Sequence, residues 1–170
     1  MLTVLIETRN DEEGLSRTLA SLIGGAIEGA VREVIVCDLG SRDQTHYVAE
    51  HAGCQFLAEG GIATGIARAK GDWLLIVEPG ARLVEGWIEP VVMHMGRSAM
   101  PARFSRSRHD RPPFLARLFS ARRALAQGLV IGKQQASALA RIGANAEGLA
   151  RGLATRQLSG EIAPAPSKPR

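Results

Sequence analysis

Two hydrophobic periods alternate along the first half of the chain. Residues 2–8, LTVLIET, form a short β-rich apolar run. The next segment, NDEEGLSRTLASLI, places Asn10 as a candidate N-cap, acids in the first turn, and Leu15, Leu19 and Leu22 on one helical face. The same strand-then-helix pattern recurs at REVIVCD (32–38) and SRDQTHYVAEHAG, where Ser41 or Asp43 can cap and Gly53 can stop the helix. CQFLAE reads as a third strand, GIATGIARAKG as a helix of small residues, and DWLLIV (72–77) as a fourth and most apolar strand. Continuous apolar runs alternating with amphipathic segments predict a parallel sheet covered on both faces. Right-handed crossovers then bring the C-terminal ends of the strands to one rim, where open α/β sheets bind ligands.

Beyond residue 80 the periods weaken. GARLVEGWIEPVVMHMGR predicts a turn and a helix, ARFSRSRH an exposed or edge strand, PPFLARLFSARRALA a helix and GLVIG a short strand. KQQASALARIG and AEGLARGLATR carry Ala-rich helical patterns. Residues 159–170 are Pro-rich with few apolar anchors and are expected to be disordered, leaving residues 1–158 as one domain.

Composition narrows the function classes. Aromatics make up only 4% of the chain, so platforms for stacking bases are scarce, and no specific nucleic-acid partner is expected. Cys37 and Cys54 form no metal-type pair and read as reduced, buried thiols. With no basic leader and no long apolar run, the expected location is cytoplasmic. The net charge of +4 is uneven: residues 97–123 hold eight arginines against one acid, Asp110. That segment is either a solvated face or an anion-binding surface, with peripheral contact to an anionic inner-membrane leaflet as one expectation.

The three best-defined strands end in polar residues: Glu7 to Asn10, Asp38 to Asp43, and Glu78 to Gly80. Such tips can bind a ribose, a base or phosphate, and each carboxylate can equally cap a helix or open a turn. Pro79 followed by Gly80 fits a type II turn without any catalytic role. His46 and His51 are poorly spaced for a shared metal, and nucleophile motifs of the G-x-S-x-G kind are absent.

VLIETRNDEEGLSRTLASL, EVIVCDLGSRDQT and ARAKGDWLLIVEPGARLVEGWIEPV occur in an order that resembles the family 2 glycosyltransferases of GT-A fold, across residues 2–90. The resemblance implies a Rossmann-like, mostly parallel sheet with helices on both faces, and transfer of a sugar from a nucleotide-diphosphate sugar. It also implies nucleotide contacts at Thr8, Arg9, Glu12, Asp38 and Ser41, and a metal ligand at Glu78 for Mg²⁺ or Mn²⁺. Lys133 is a candidate for phosphate, with Arg9, and Glu147 is the one acid near the family's base position. The chain departs from the family pattern in the Gly-rich segment, where only Thr64 and backbone groups remain, in the shortened region around Glu147, and at three strand-tip positions. Glu7 replaces a proline, Leu39 replaces a second aspartate, and Gly80 stands where the second carboxylate of Asp-X-Asp belongs. Alternatives are a pseudoenzyme that binds nucleotide or a partner without catalysis, and a basic surface module.

Overall fold

The computed structural model describes residues 1–107, 123–140 and 145–166. Eight strands form one sheet: β1 (Leu2–Thr8), β2 (Val31–Asp38), β3 (Gln55–Leu57), β4 (Trp73–Val77), β5 (Arg82–Leu83), β6 (Ala102–Arg106), β7 (Leu129–Gly132) and β8 (Arg156–Ala163). Among the described residues six helices accompany them: α1 (Glu12–Ile27), α2 (Thr45–His51), α3 (Gly61–Arg68), α4 (Ile88–Arg97), α5 (Lys133–Ala140) and α6 (Ala146–Ala150). The strand order is β3-β2-β1-β4-β7-β6-β8-β5, with β1 to β4 mutually parallel and β7 antiparallel to β4.

Strand periodicity divides the interior into two layers. Val4, Ile6, Leu75, Val77 and Val130 face one way, against Leu15, Leu19 and Leu22 of α1 and Val91 of α4. Leu5, Leu74, Ile76, Leu129 and Ile131 face the other way, against Ile62 and Ile66 of α3, Ala136 of α5 and Leu149 of α6. Burial on both faces is why these strands read as unbroken apolar runs. Gly65 lets α3 lie close to the sheet, because a Cβ there would come within 2.5 Å of the Cys37 sulfur.

The chain proceeds from β1 outward through β2 to β3 and returns to β4 on the other side of β1. The order therefore reverses between β1 and β4, so the topological switch point lies at their C-terminal ends, the edge where open α/β sheets bind ligands.

Several expectations change. The strand at 102–106 is interior, between β7 and β8, because Ala102 and Phe104 complete the first layer. The helix expected from 146 stops at Ala150, and the chain enters β8 at Arg156. Residues 159–163 belong to that strand and are not a disordered tail. Leu158, Gly160 and Ile162 are buried on one side of it, and Ser107 N donates to Ile162 O at 2.9 Å. The cap of α1 is Asp11, whose Oδ1 accepts from Gly14 N at 3.2 Å. Asn10 instead takes a left-handed conformation, φ 48°, which asparagine tolerates. Most of the helix expected over 112–126 lies outside the described residues, as do residues 167–170.

Candidate functional site

The loops after β1 and β2 lock together at the rim. Asp38 ends β2 and is 5% exposed. Its Oδ2 accepts from Gly40 N at 3.0 Å and Ser41 N at 2.8 Å, and its Oδ1 accepts from Ser41 Oγ at 2.5 Å. Ser41 Oγ in turn accepts from Asn10 N at 2.8 Å, and Asn10 Oδ1 accepts from Arg42 N at 2.8 Å. Glu12 closes the next link, its Oε2 accepting from Gln44 N at 2.7 Å while its own N–H donates to Asp43 Oδ2 at 3.3 Å. Burial pushes the Asp43 carboxyl up, but hydrogen bonds from the Thr45 hydroxyl and from the Thr45 and Glu12 N–H groups outweigh it. The group settles below its ordinary value.

Of the five expected nucleotide contacts, Asp38, Ser41 and Glu12 thus belong to one preorganised loop pair. Arg9 is exposed in the same loop. Thr8, at the end of β1, is 2% exposed, and its Oγ1 has no hydrogen-bond partner among the described residues. Buried hydroxyls are rarely left unpaired, so this oxygen is conspicuous at the switch point.

On the opposite face of β1, Glu7 reaches two helix starts. Its Oε1 accepts from Ile62 N at 3.2 Å in α3, and its Oε2 accepts from Ala146 N at 3.0 Å in α6. The Glu7 carboxylate therefore fastens the C-terminal segment to the parallel half of the sheet. Its charge and, above all, burial push the neighbouring Cys37 thiol up to about 12; burial alone takes Cys54 to about 11. Both cysteines are free and stay protonated at neutral pH.

The tip of β4 is a turn. Ala81 N donates to Glu78 O at 3.2 Å and Gly80 has φ 94°, as a type II turn requires. Thr18 Oγ1 pins it to α1, accepting from Gly80 N at 2.9 Å and donating to Ala81 O at 2.8 Å. Glu78 faces an arginine, with Oε2 3.1 Å from Arg123 Nη1, while Arg123 Nη2 donates to Ala165 O at 2.6 Å. Glu147 lies close by. Its Oε1 accepts from Ala124 N, its Oε2 accepts from Leu125 N at 2.9 Å, and Arg151 Nη2 stands 3.9 Å from Oε1. Burial raises the Glu78 carboxyl above its ordinary value; Arg123 opposes the rise and the Glu147 charge reinforces it.

The donor chemistry of this tip does not suit a divalent cation. Mg²⁺ and Mn²⁺ take several oxygen ligands. Glu78 supplies one carboxylate, already facing a guanidinium, and Gly80 supplies none. A Cβ at Gly80 would meet Ala165 Cβ at 3.2 Å and Pro166 Cδ at 3.4 Å, so a side chain there would crowd the C-terminal segment. No cluster of three His, Cys, Asp or Glu side chains able to hold a metal occurs among the described residues.

Lys133 is far from this rim. Because β7 runs against β4, with Ile76 opposite Leu129 and Trp73 opposite Gly132, Lys133 emerges at the N-terminal end of β4 and donates to Ala69 O. The basic segment is also partly committed inward. Arg103 donates to Ala150 O and Arg123 to Ala165 O, whereas Arg97 is exposed. No described helix is long and apolar enough to cross a membrane. An apolar groove of about 600 Å³ lies between α1 and α2, lined by Leu19, Ile23, Tyr47 and Val48. None of the strand-tip residues lines it, so the cavity and the polar chemistry are separate features.

The fold has known counterparts. Glucosyl-3-phosphoglycerate synthase of Mycobacterium tuberculosis, solved with Mn²⁺ and UDP-glucose, superposes with a TM-score of 0.64 at 15% identity over 99% of this chain and 72% of that one. The same enzyme with Mg²⁺ and UDP gives 0.63 at 17% identity, over 99% and 72%. With Mn²⁺, UDP and phosphoglyceric acid it gives 0.58 at 17%, over 82% and 58%. A TPR repeat-containing protein of Synechococcus elongatus is 38% identical over 89 residues, 48% of this chain; the match spans only 21% of that protein's length. The model of glycosyl transferase family 2 matches residues 3–145. With the parallel strands, the topological switch point and the strand-tip residues all lying within that span, the chain belongs to glycosyl transferase family 2.

Proposed function

We propose that the crevice between the tips of β1 and β4 binds a nucleotide-diphosphate sugar, as the donor half of a sugar-transfer reaction. The observation that carries this reading is the buried, unpartnered Thr8 hydroxyl at the switch point, beside a loop pair already ordered by Asp38, Ser41, Asn10 and Glu12. An ordered loop pair spares the ligand the cost of organising its own site. That a structural counterpart was solved with UDP supports a nucleotide as the ligand.

The test is titration with UDP, GDP and their glucose and mannose conjugates, followed by calorimetry. Saturable binding of one of them is expected. Thr8→Val keeps the side-chain shape and deletes the orphaned oxygen, so it should leave stability unchanged or higher. It should weaken the nucleotide roughly 3- to 10-fold, the scale of one hydrogen bond. No saturable binding of any of these compounds refutes the reading. So does a Thr8→Val protein that loses stability at unchanged affinity.

A second reading, nucleotide binding without transfer, is favoured by Glu147. Both of its oxygens already accept backbone N–H groups, which suits an anchor better than a base that must take a proton from an acceptor hydroxyl. Release of UDP or GDP from a bound donor in the presence of acceptor sugars, abolished by Glu147→Gln, would exclude it.

A further inference from the structure

The position beside Glu78 that a cation would take is occupied by the chain itself. Arg123 Nη1 lies 3.1 Å from Glu78 Oε2, and the Arg123 side chain remains 36% exposed while that of Glu78 is 15% exposed. We propose that this chain takes the diphosphate of its nucleotide without a divalent ion, Arg123 supplying the positive charge. The proposal rests on the nucleotide reading given above and specifies how that site meets the phosphates.

Three features support it. Charge balances in the same way: a divalent ion between two carboxylates sums to zero, and so does one guanidinium beside one carboxylate. The geometry is held, because Glu147 anchors the two residues that follow Arg123, and Ala165 O fixes the other end of the guanidinium. The fork is also the right chemistry. A guanidinium has five N–H donors in one plane; Arg123 gives one to Ala165 O and meets Glu78 as an ion pair, and such a fork matches phosphate oxygens in pairs. Pro166 and Ala165 meanwhile crowd the position at Gly80 from which a second ligand side chain would have to start.

The experiment measures UDP and GDP affinity for the wild-type chain in excess EDTA and in excess Mn²⁺, and for Arg123→Gln and Arg123→Lys in EDTA. The wild-type affinity is expected to agree within roughly threefold between the two conditions. Arg123→Gln should lose roughly tenfold or more, and Arg123→Lys should fall between, because it keeps the charge and loses the fork. Circular dichroism establishes that each variant is folded. If Arg123→Gln does not fold, the comparison of EDTA with Mn²⁺ on the wild-type chain decides alone. Mn²⁺ tightening the complex tenfold or more overturns the proposal and leaves the nucleotide site standing, as does unchanged affinity in a folded Arg123→Gln protein. Absence of UDP and GDP binding in every condition overturns both.

Discussion

Replacing Gly80 separates the role of the turn from that of a lost metal ligand. Gly80 has φ 94°, and a Cβ there lies 3.2 Å from Ala165 Cβ and 3.4 Å from Pro166 Cδ. A non-glycine residue in the left-handed region costs about 1–2 kcal/mol. Crowding against Ala165 adds about 1 kcal/mol, at the lower end of overpacking costs. Gly80→Ala should therefore destabilise the chain by about 2–3 kcal/mol, lowering Tm by roughly 4–12 °C for a domain of this size. Gly29→Ala is the internal control, since Gly29 has φ 71° with nothing within 4 Å and carries only the backbone part. Urea denaturation of both, and of Gly80→Ala combined with Ala165→Gly, isolates the contact: the second change should restore about 1 kcal/mol. Gly80→Asp should lose stability similarly and gain no Mn²⁺ affinity, because its side chain starts toward the C-terminal segment. Equal costs at Gly80 and Gly29 with no coupling to Ala165 would refute the claim that this segment crowds the tip. So would a stable Gly80→Asp protein that binds Mn²⁺.

Two further perturbations probe the surrounding framework. Glu7→Ala strands the Ile62 and Ala146 N–H groups and should cost about 2–4 kcal/mol in urea denaturation, with faster exchange of both amides. Glu7→Gln, which keeps one acceptor oxygen, should cost less. The pH dependence of stability should carry opposite signs at two carboxyls. Glu78 is raised, so the folded chain binds its proton more readily than the unfolded chain. Stability relative to Glu78→Gln should fall as pH rises from the unfolded carboxyl pKa through the raised one, then level off. Asp43 is lowered, so its contribution relative to Asp43→Asn should be full above the unfolded pKa and vanish as pH falls through the lowered one.

The parallel half of the sheet was legible because β1, β2 and β4 are buried on both faces and leave unbroken apolar runs. Asp38, Ser41 and Glu12, singled out by family resemblance, lie at the strand tips and bond within their own loops or the adjacent one. β8 was hidden. Its alternation, Leu158, Gly160 and Ile162 inward, has a glycine at its centre, and Phe104 explains why: a Cβ at Gly160 would meet its ring at 3.3 Å. Proline content then pointed to disorder. Lys133 went to the wrong edge because nothing in GLVIGK reveals that β7 runs against β4. Arg123 was invisible as a site residue. It is one of eight arginines in a basic stretch, and its pairing with Glu78, 45 residues away in sequence, emerges from the fold. The one hint was the missing carboxylate at Gly80, which left Glu78 in need of a different partner.

The most direct test is a crystal structure of the chain with UDP, grown in EDTA. The nucleotide should lie over the tips of β1, β2 and β4, with a polar ligand atom within hydrogen-bond reach of Thr8 Oγ1 and diphosphate oxygens on the Arg123 guanidinium. A nucleotide bound at any other surface, or one that enters this crevice only when Mn²⁺ is supplied and leaves Arg123 paired solely with Glu78 and Ala165, would contradict this.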